Sequence, residues 1–271
     1  MADVNQADWS VLPVLRYHSV RPATESGACP LTVPACRLRE HLTALLDDGY
    51  RLVGLSEALD LLDGGYRGRV AALTFDDGFA SVLRHAVPVL GELDARATLY
   101  VPVGHVGGTA DWLGPHAAAV GPLLTWGQLD DVAAAGMEIG SHGLLHHDLD
   151  LLPEEQVCRE IRDSRDRLSD RYHRHIRSFC YPHGHHDRAV RSIVAGSGHD
   201  SACQGGERLY RPDLHRLAVP RLRPLAGHTG AQLRDLVRTG GGQFTPWVRQ
   251  VTRPGFRVTR RALRMFGRDP H

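Results

Sequence analysis

The chain has 271 residues, 42% of them apolar and 23% charged. That suits one large folded domain with a sizeable core and excludes a disordered or fibrous protein. The formal net charge of +1 provides no overall field toward nucleic acid or membrane. Its five cysteines, an odd number without a CxxC pair, exclude a disulfide framework or zinc knuckle.

In chain order, the N-terminus "MADVNQADWS" has no basic start followed by an apolar stretch, so no signal peptide is expected. No run approaches the ~18 apolar residues that span a bilayer. The expectation is a reduced, cytoplasmic protein. "VLPVLRY" (11–17) reads as a buried strand and ends on His18. Leu38, Leu42, Leu45 and Leu46 then recur at helical steps up to "DDGY". Leu55, Leu59 and Leu62 form the next helix, with Ser56 as the expected N-cap. "VAALTF" (70–75) is a strand that runs into Asp76 and Asp77, and Val82, Leu83, Val87 and Leu90 make another helical set.

"ATLYVPV" (97–103), "MEIGSH" (137–142) and "RSFCYP" (177–182) are further strands. Val157, Ile161 and Leu168 mark a longer helix between the last two. Alternating strands and helices predict βαβ units and a mainly parallel sheet. Closed on itself, it would be a barrel, with functional residues at the C-terminal strand ends. His18, Asp76 with Asp77, His142 with His146, and Pro182–His183–Gly184 all follow predicted strands. The glycine run in "RTGGGQFTP" (238–246) suggests a domain over residues 1–240. The segment after it, 241–271, is a basic tail, with seven arginines and one aspartate from Arg249 onward.

The chemistry of these residues points to a metal. His142 and His146 are four apart, so on a helix both imidazoles would leave one face and could grip one ion. A chain with 17 histidines will hold such pairs by chance, and there is no HExxH. The adjacent carboxylates supply a reason to take the pair seriously. "DDG" alone is an ordinary turn, and side by side the two charges repel. A divalent cation would remove that conflict by binding one carboxylate and leaving the other as a general base. No GxSxG elbow is present, so serine-hydrolase chemistry is disfavoured.

"TFDDG" (74–78), "SHGLLHHDL" (141–149) and "FCYPHG" (179–184) together resemble the successive motifs of polysaccharide deacetylases, the NodB-type carbohydrate esterases. "LPVLRYHSV" (12–20), "ARATLYVP" (95–102) and "LHRLAVPR" (214–221) extend the resemblance over about residues 11–222. They point to the branch of poly-N-acetylglucosamine deacetylases. The resemblance implies a distorted (β/α) barrel of about seven parallel strands. It also implies a divalent metal, most expectedly Zn2+, and an N-acetylated amino sugar as substrate.

By the same carry-over, Asp76 is the base and Asp77, His142 and His146 are the metal ligands. The His183 N–H is an oxyanion donor, and Tyr181, Pro182 and Gly184 belong to the substrate wall. His18 is the acid that protonates the leaving amine. Three positions depart from the family pattern. Gly143 replaces a Ser or Thr, which would loosen its loop. Cys180 stands where many members have an arginine that orients the base. His183 replaces an aromatic residue, making the wall more polar.

Trp112 and Trp126 suit either sugar stacking or packing. His147, His185 and His186 read as surface or supporting residues. "FRVTRRALRMF" (256–266), apolar residues among four arginines, could touch an anionic membrane. Two other readings stay open. One is a deacetylase or deformylase of a small nucleotide- or lipid-linked amino sugar; the other is a non-catalytic carbohydrate-binding relative.

Overall fold

The computed structural model describes residues 11–24 and 29–241 of the chain. The basic segment 256–266 expected to meet a membrane lies outside them. Apolar runs become short strands and amphipathic runs become the helices between them. The order is β1 (Val14–Tyr17), β2 (Ser19–Arg21), β3 (Thr32–Pro34), α1 (Ala35–Asp47), β4 (Tyr50–Val53), α2 (Leu55–Asp63) and β5 (Arg69–Phe75). Then come α3 (Val87–Glu92), β6 (Thr98–Val101), α4 (Ala117–Val120), α5 (Trp126–Ala134), β7 (Glu138–Ser141), α6 (Glu154–Tyr172), β8 (Ser178–Cys180), α7 (Arg188–Gly196), β9 (Ser201–Cys203) and α8 (Gly230–Thr239). No helix among the described residues is long and apolar enough to cross a membrane.

Seven strands pair in parallel in the order β1-β5-β6-β7-β8-β9, with β4 also on β5. β5 pairs with three strands, β1, β4 and β6. Six of its seven residues are buried, the continuous apolar run of a strand covered on both faces. Its flank is shared: β4 pairs from Arg69 to Ala72, and β6 pairs at Thr74 and Phe75. Residues 219–222 then bridge the two edges of the sheet. Val219 pairs with Cys203 of β9, and Leu222 pairs with Leu15 of β1. The sheet is thereby curled into the distorted (β/α) barrel expected from the motifs.

Two local expectations fail for physical reasons. Ser56 is not the N-cap of α2. The cap is Gly54, because the Glu138 carboxylate already takes the Ser56 N–H at 3.2 Å and its hydroxyl at 2.5 Å. Thr98 and Ser178 donate to the same carboxylate, tying the starts of β6, β7 and β8 together. The helical set from Val82 begins as a π-turn, Val82–Ala86, before α3. Pro88, at the second position of α3, has no N–H to give an earlier carbonyl.

Candidate active site

The C-terminal ends of β1, β5, β7 and β8 bring the singled-out residues to one face, as a parallel barrel demands. At the end of β5 the chain leaves the sheet abruptly. The Asp76 N–H donates to the Tyr17 carbonyl at 3.0 Å, and Asp77 turns into the left-handed region at φ 71°. Few residues other than glycine accept that conformation, aspartate being one of them. The turn aims the two adjacent carboxylates at different partners. Both aspartates are only 3% exposed.

Asp76 meets Arg221, a residue that no sequence motif singled out. Its Nη1 donates to Oδ1 at 2.6 Å and its Nη2 to Oδ2 at 2.7 Å. The same guanidinium reaches the Thr74 hydroxyl at 3.1 Å and the Cys180 Sγ at 3.1 Å. Arg221 therefore performs from the barrel-closing segment the orienting task that the motif comparison placed at position 180. The stretch "LHRLAVPR" contains it, but proline-led loops carry no periodicity to show where a side chain points. His18 stands on the other side, its Nε2 3.9 Å from Asp76 Oδ2.

Burial pushes the Asp76 carboxyl up, but Arg221, His142 and His18 outweigh it and hold the group at about 2. Burial also drives His18 down to about 4, against the pull of Asp77 and Asp76.

Asp77 meets the histidines. Its Oδ1 lies 3.4 Å from His142 Nε2 and 3.3 Å from His146 Nε2. The pair is not on a helix. Residues 142–148 form a loop, with Gly143 at φ 78° and His146 at φ 57°. Glu160 of α6 shapes it. That carboxylate accepts the N–H groups of Leu144 at 2.9 Å and Leu145 at 2.8 Å, and His147 Nδ1 at 2.8 Å. The Ser141 hydroxyl accepts the Gly143 N–H. The loop therefore does not depend on a hydroxyl at position 143, and the expected loosening does not arise. A Cβ at Gly143 would also sit 3.2 Å from Glu160 Oε2.

The donor set fits a metal. His142 Nδ1 donates to the Cys180 carbonyl at 2.7 Å, so in the neutral ring Nε2 presents its lone pair to Asp77. A buried carboxylate oxygen facing two imidazole nitrogens is a donor set that a cation between them would satisfy. Without an ion, burial disfavours a charge on His142, yet Cys180, Asp77 and Asp76 raise its pKa well above the usual value. Burial keeps His146 low. Asp77, pushed up by burial, is held well below its usual value by His142 and His146.

Two donors ~2.1 Å from a tetrahedral Zn2+ would stand about 3.4 Å apart, the spacing found here. The three donor atoms lie within 4.8 Å of one another.

The third motif divides. His183, at φ 57°, brings its ring edge-on to His146, with centroids 4.6 Å apart. Tyr181, expected in the substrate wall, is instead fully buried, and its hydroxyl donates to the Leu217 carbonyl at 2.9 Å. Its ring is core, and Pro182 is buried beside it. Gly184 is packed against the neighbouring strand's exit; a Cβ there would meet Gly205 N at 2.5 Å.

Trp112 stacks on the His146 ring, 4.3 Å between centroids and 21° between planes. Trp126 is away from this cluster, under the Arg171 guanidinium. His147 and His186 act as supports, bonded to Glu160 and Gln204, and His185 lies beside Asp148.

Known proteins share this architecture. A family model described as polysaccharide deacetylase matches residues 63–202. YxkH of Bacillus subtilis (strain 168), assigned as a polysaccharide deacetylase, is 26% identical over 225 residues, 81% of this chain and 74% of its own. Among solved structures, IcaB from Ammonifex degensii is 25% identical, with a TM-score of 0.70 over 85% of this chain and 97% of its own. The Streptococcus pyogenes deacetylase PplD, solved with acetate, is 24% identical, with a TM-score of 0.73 over 84% of this chain and 98% of its own; at that identity it supports the fold. With a family model spanning more than half of its length, the chain belongs to the polysaccharide deacetylase family, hydrolases of carbon–nitrogen bonds other than peptide bonds.

Proposed function

We propose that the protein is a divalent-metal-dependent hydrolase that removes N-acetyl groups from amino sugars in an oligosaccharide or polysaccharide. The observation that carries this reading is the division between the two adjacent carboxylates. Asp77 faces two imidazole nitrogens, while Asp76 faces an arginine and a third histidine. A pure carbohydrate-binding module has no use for a base beside a metal ligand set. The family resemblance also supports residues 1–240 as the catalytic domain, and the left-handed Gly240 that ends α8 suits a boundary there, with 241–271 as the tail.

Asp76 is the general base. Arg221 fixes its plane and stabilises its charge, so it is well aimed but weakly basic, and it suits water that has already been acidified. A cation held by Asp77, His142 and His146, with Zn2+ the best match to the donors, supplies that acidity and polarises the acyl carbonyl.

Water adds to the acyl carbon and gives its proton to Asp76. The His183 N–H donates to the oxygen that becomes negative. The carbon–nitrogen bond then breaks, and His18 delivers the proton the amine needs. His18 begins as a neutral ring, and its Nε2 is 3.9 Å from Asp76. The proton taken by Asp76 therefore has a short route to the leaving nitrogen. Acetate and a free amino sugar result.

The test is acetate release from a panel of N-acetylated sugars, from monomers and nucleotide- or lipid-linked sugars to oligomers. Release from the oligomers, lost in Asp76→Asn, is expected. Release confined to the small conjugates would move the substrate class to the small-sugar reading. Absence of release from every member by the metal-loaded protein would sink the enzyme assignment of these residues.

A further inference from the structure

The two histidines that face Asp77 are held in different ways. His142 has the support usual for a metal-binding imidazole: its Nδ1 donates to a carbonyl, that of Cys180, which fixes tautomer and ring angle. His146 has no such bond. Its Nδ1 is buried with no hydrogen-bond partner. It also sits on a left-handed residue of a loop, where backbone geometry alone does not fix a ring. What surrounds it is aromatic. The Trp112 indole lies face-on at 4.3 Å and 21°, and the rings of His142 and His183 stand edge-on at 4.7 Å and 4.6 Å.

We infer that Trp112 is the positioning residue of His146, a stacked indole taking the place of the missing hydrogen bond. The inference rests on the reading of Asp77, His142 and His146 as a metal site. Three further observations support it. His105 also packs on Trp112, with ring centroids 4.9 Å apart and 67° between planes, so the indole is in contact with two imidazoles.

The segment carrying Trp112 is braced. Ala110 and Val120 pack with Phe79, Leu123 and Cys29, with Trp112 against that cluster. Phe79 is two residues beyond Asp77, so this small core joins the turn of one ligand to the support of another. The base of the segment is also tied to the ligand loop, since the Val103 and Gly104 N–H groups donate to the Gly143 and Leu144 carbonyls at 3.1 and 2.8 Å. No Cβ would fit at Gly104, where it would lie 2.7 Å from that second carbonyl.

The experiment measures Co2+ and Zn2+ affinity of the stripped full-length protein by competition with a chromophoric chelator. The Co2+ visible spectrum serves as a second readout. Trp112→Leu keeps an apolar side chain but removes the ring face, and Trp112→Phe keeps a face. Trp112→Leu should weaken the ion by roughly 10–100-fold, the loss typical of removing an outer support of a ligand, and alter the Co2+ bands. Trp112→Phe should stay near wild type in both. The thermal midpoints of the metal-free variants, if matched to wild type, show that the loss is not general unfolding.

Trp112→Leu binding as tightly as wild type, with an unchanged spectrum, would overturn the inference and leave the metal site standing. A wild-type protein that binds neither ion, with Asp77→Asn indistinguishable from it, would overturn both.

Discussion

Arg221 and Asp76 are both shut away from solvent, 2% and 3% exposed, and joined by two hydrogen bonds. Breaking such a pair from one side leaves a buried charge without its partner. Arg221→Ala should therefore cost about 3–5 kcal/mol of stability in urea denaturation. The double variant Arg221→Met with Asp76→Asn should recover much of that loss, because it removes both charges. Equal losses in the single and double variants would show that the pair is not coupled. The carboxylate pair was legible at this scale, since two like charges at the end of an apolar strand repel unless a cation binds one of them. Arg221 was not: a lone arginine in a proline-flanked loop looks like any of the chain's many others. Only the closure of the barrel brings position 221 to the end of β5. Tyr181 shows the reverse error. A motif match put it in the wall, but its packing against Phe179 and its bond to the Leu217 carbonyl claim the side chain for the core.

The loop at 142–148 is the element that decides the site, and its shape comes from a neighbouring helix. Glu160, 4% exposed, is the single acceptor for three donors of that loop. Glu160→Ala would remove the shared acceptor of three part-buried bonds whose donor residues water can still reach, so a stability loss of about 1–2 kcal/mol is expected. Metal affinity should fall with it, as Leu144 and Leu145 lose the anchor that precedes His146. Chelator competition on the purified variant checks this; unchanged affinity would mean that the loop holds its form without α6.

The four-residue spacing of the histidines suggested a helix because i and i+4 share a helical face. The same spacing is met here by a loop with left-handed turns at Gly143 and His146. The residues were legible and the element was not, because its conformation is set by Glu160, a side chain from another element. The strands that carry the site, β1, β5, β7 and β8, were visible with β6 as apolar runs, and α1, α2, α3 and α6 as leucine or valine periodicities; the short β2, β3, β4 and β9 and the helices α4, α5, α7 and α8 were not read from the sequence. The misplaced N-cap at Ser56 has the same origin as the loop: Glu138, from another strand, competes for the groups that a cap would satisfy.

At the scale of the whole molecule, a buried histidine lies at the strand-start end of the barrel, opposite the candidate site. His199 lies near the start of β9. Its Nδ1 donates to the Ile176 carbonyl at 3.0 Å, and its Nε2 is buried without a partner. Burial drives its pKa down to about 4, against the ordinary ~6.5 of an unfolded chain. Between these values the unfolded state binds the extra proton, so stability falls as pH drops from ~6.5 toward 4 and levels off below. The difference amounts to about 3 kcal/mol at most. In denaturation at neutral pH and near the lower pKa, the pH-dependent loss in His199→Gln should be smaller than in wild type by up to that amount. Equal losses in the two proteins would remove His199 from the acid response.

The central claim joins base and metal: Asp77, His142 and His146 hold an ion, and Asp76 takes the proton. The most direct test measures acetate release from an N-acetylglucosamine oligomer by stripped, Zn2+-reloaded and Asp76→Asn protein, with bound metal quantified in each. The account predicts no release when stripped, restored release when reloaded, and an Asp76→Asn variant that keeps its metal yet releases nothing. Full-rate release by the stripped protein, or by Asp76→Asn, would contradict it.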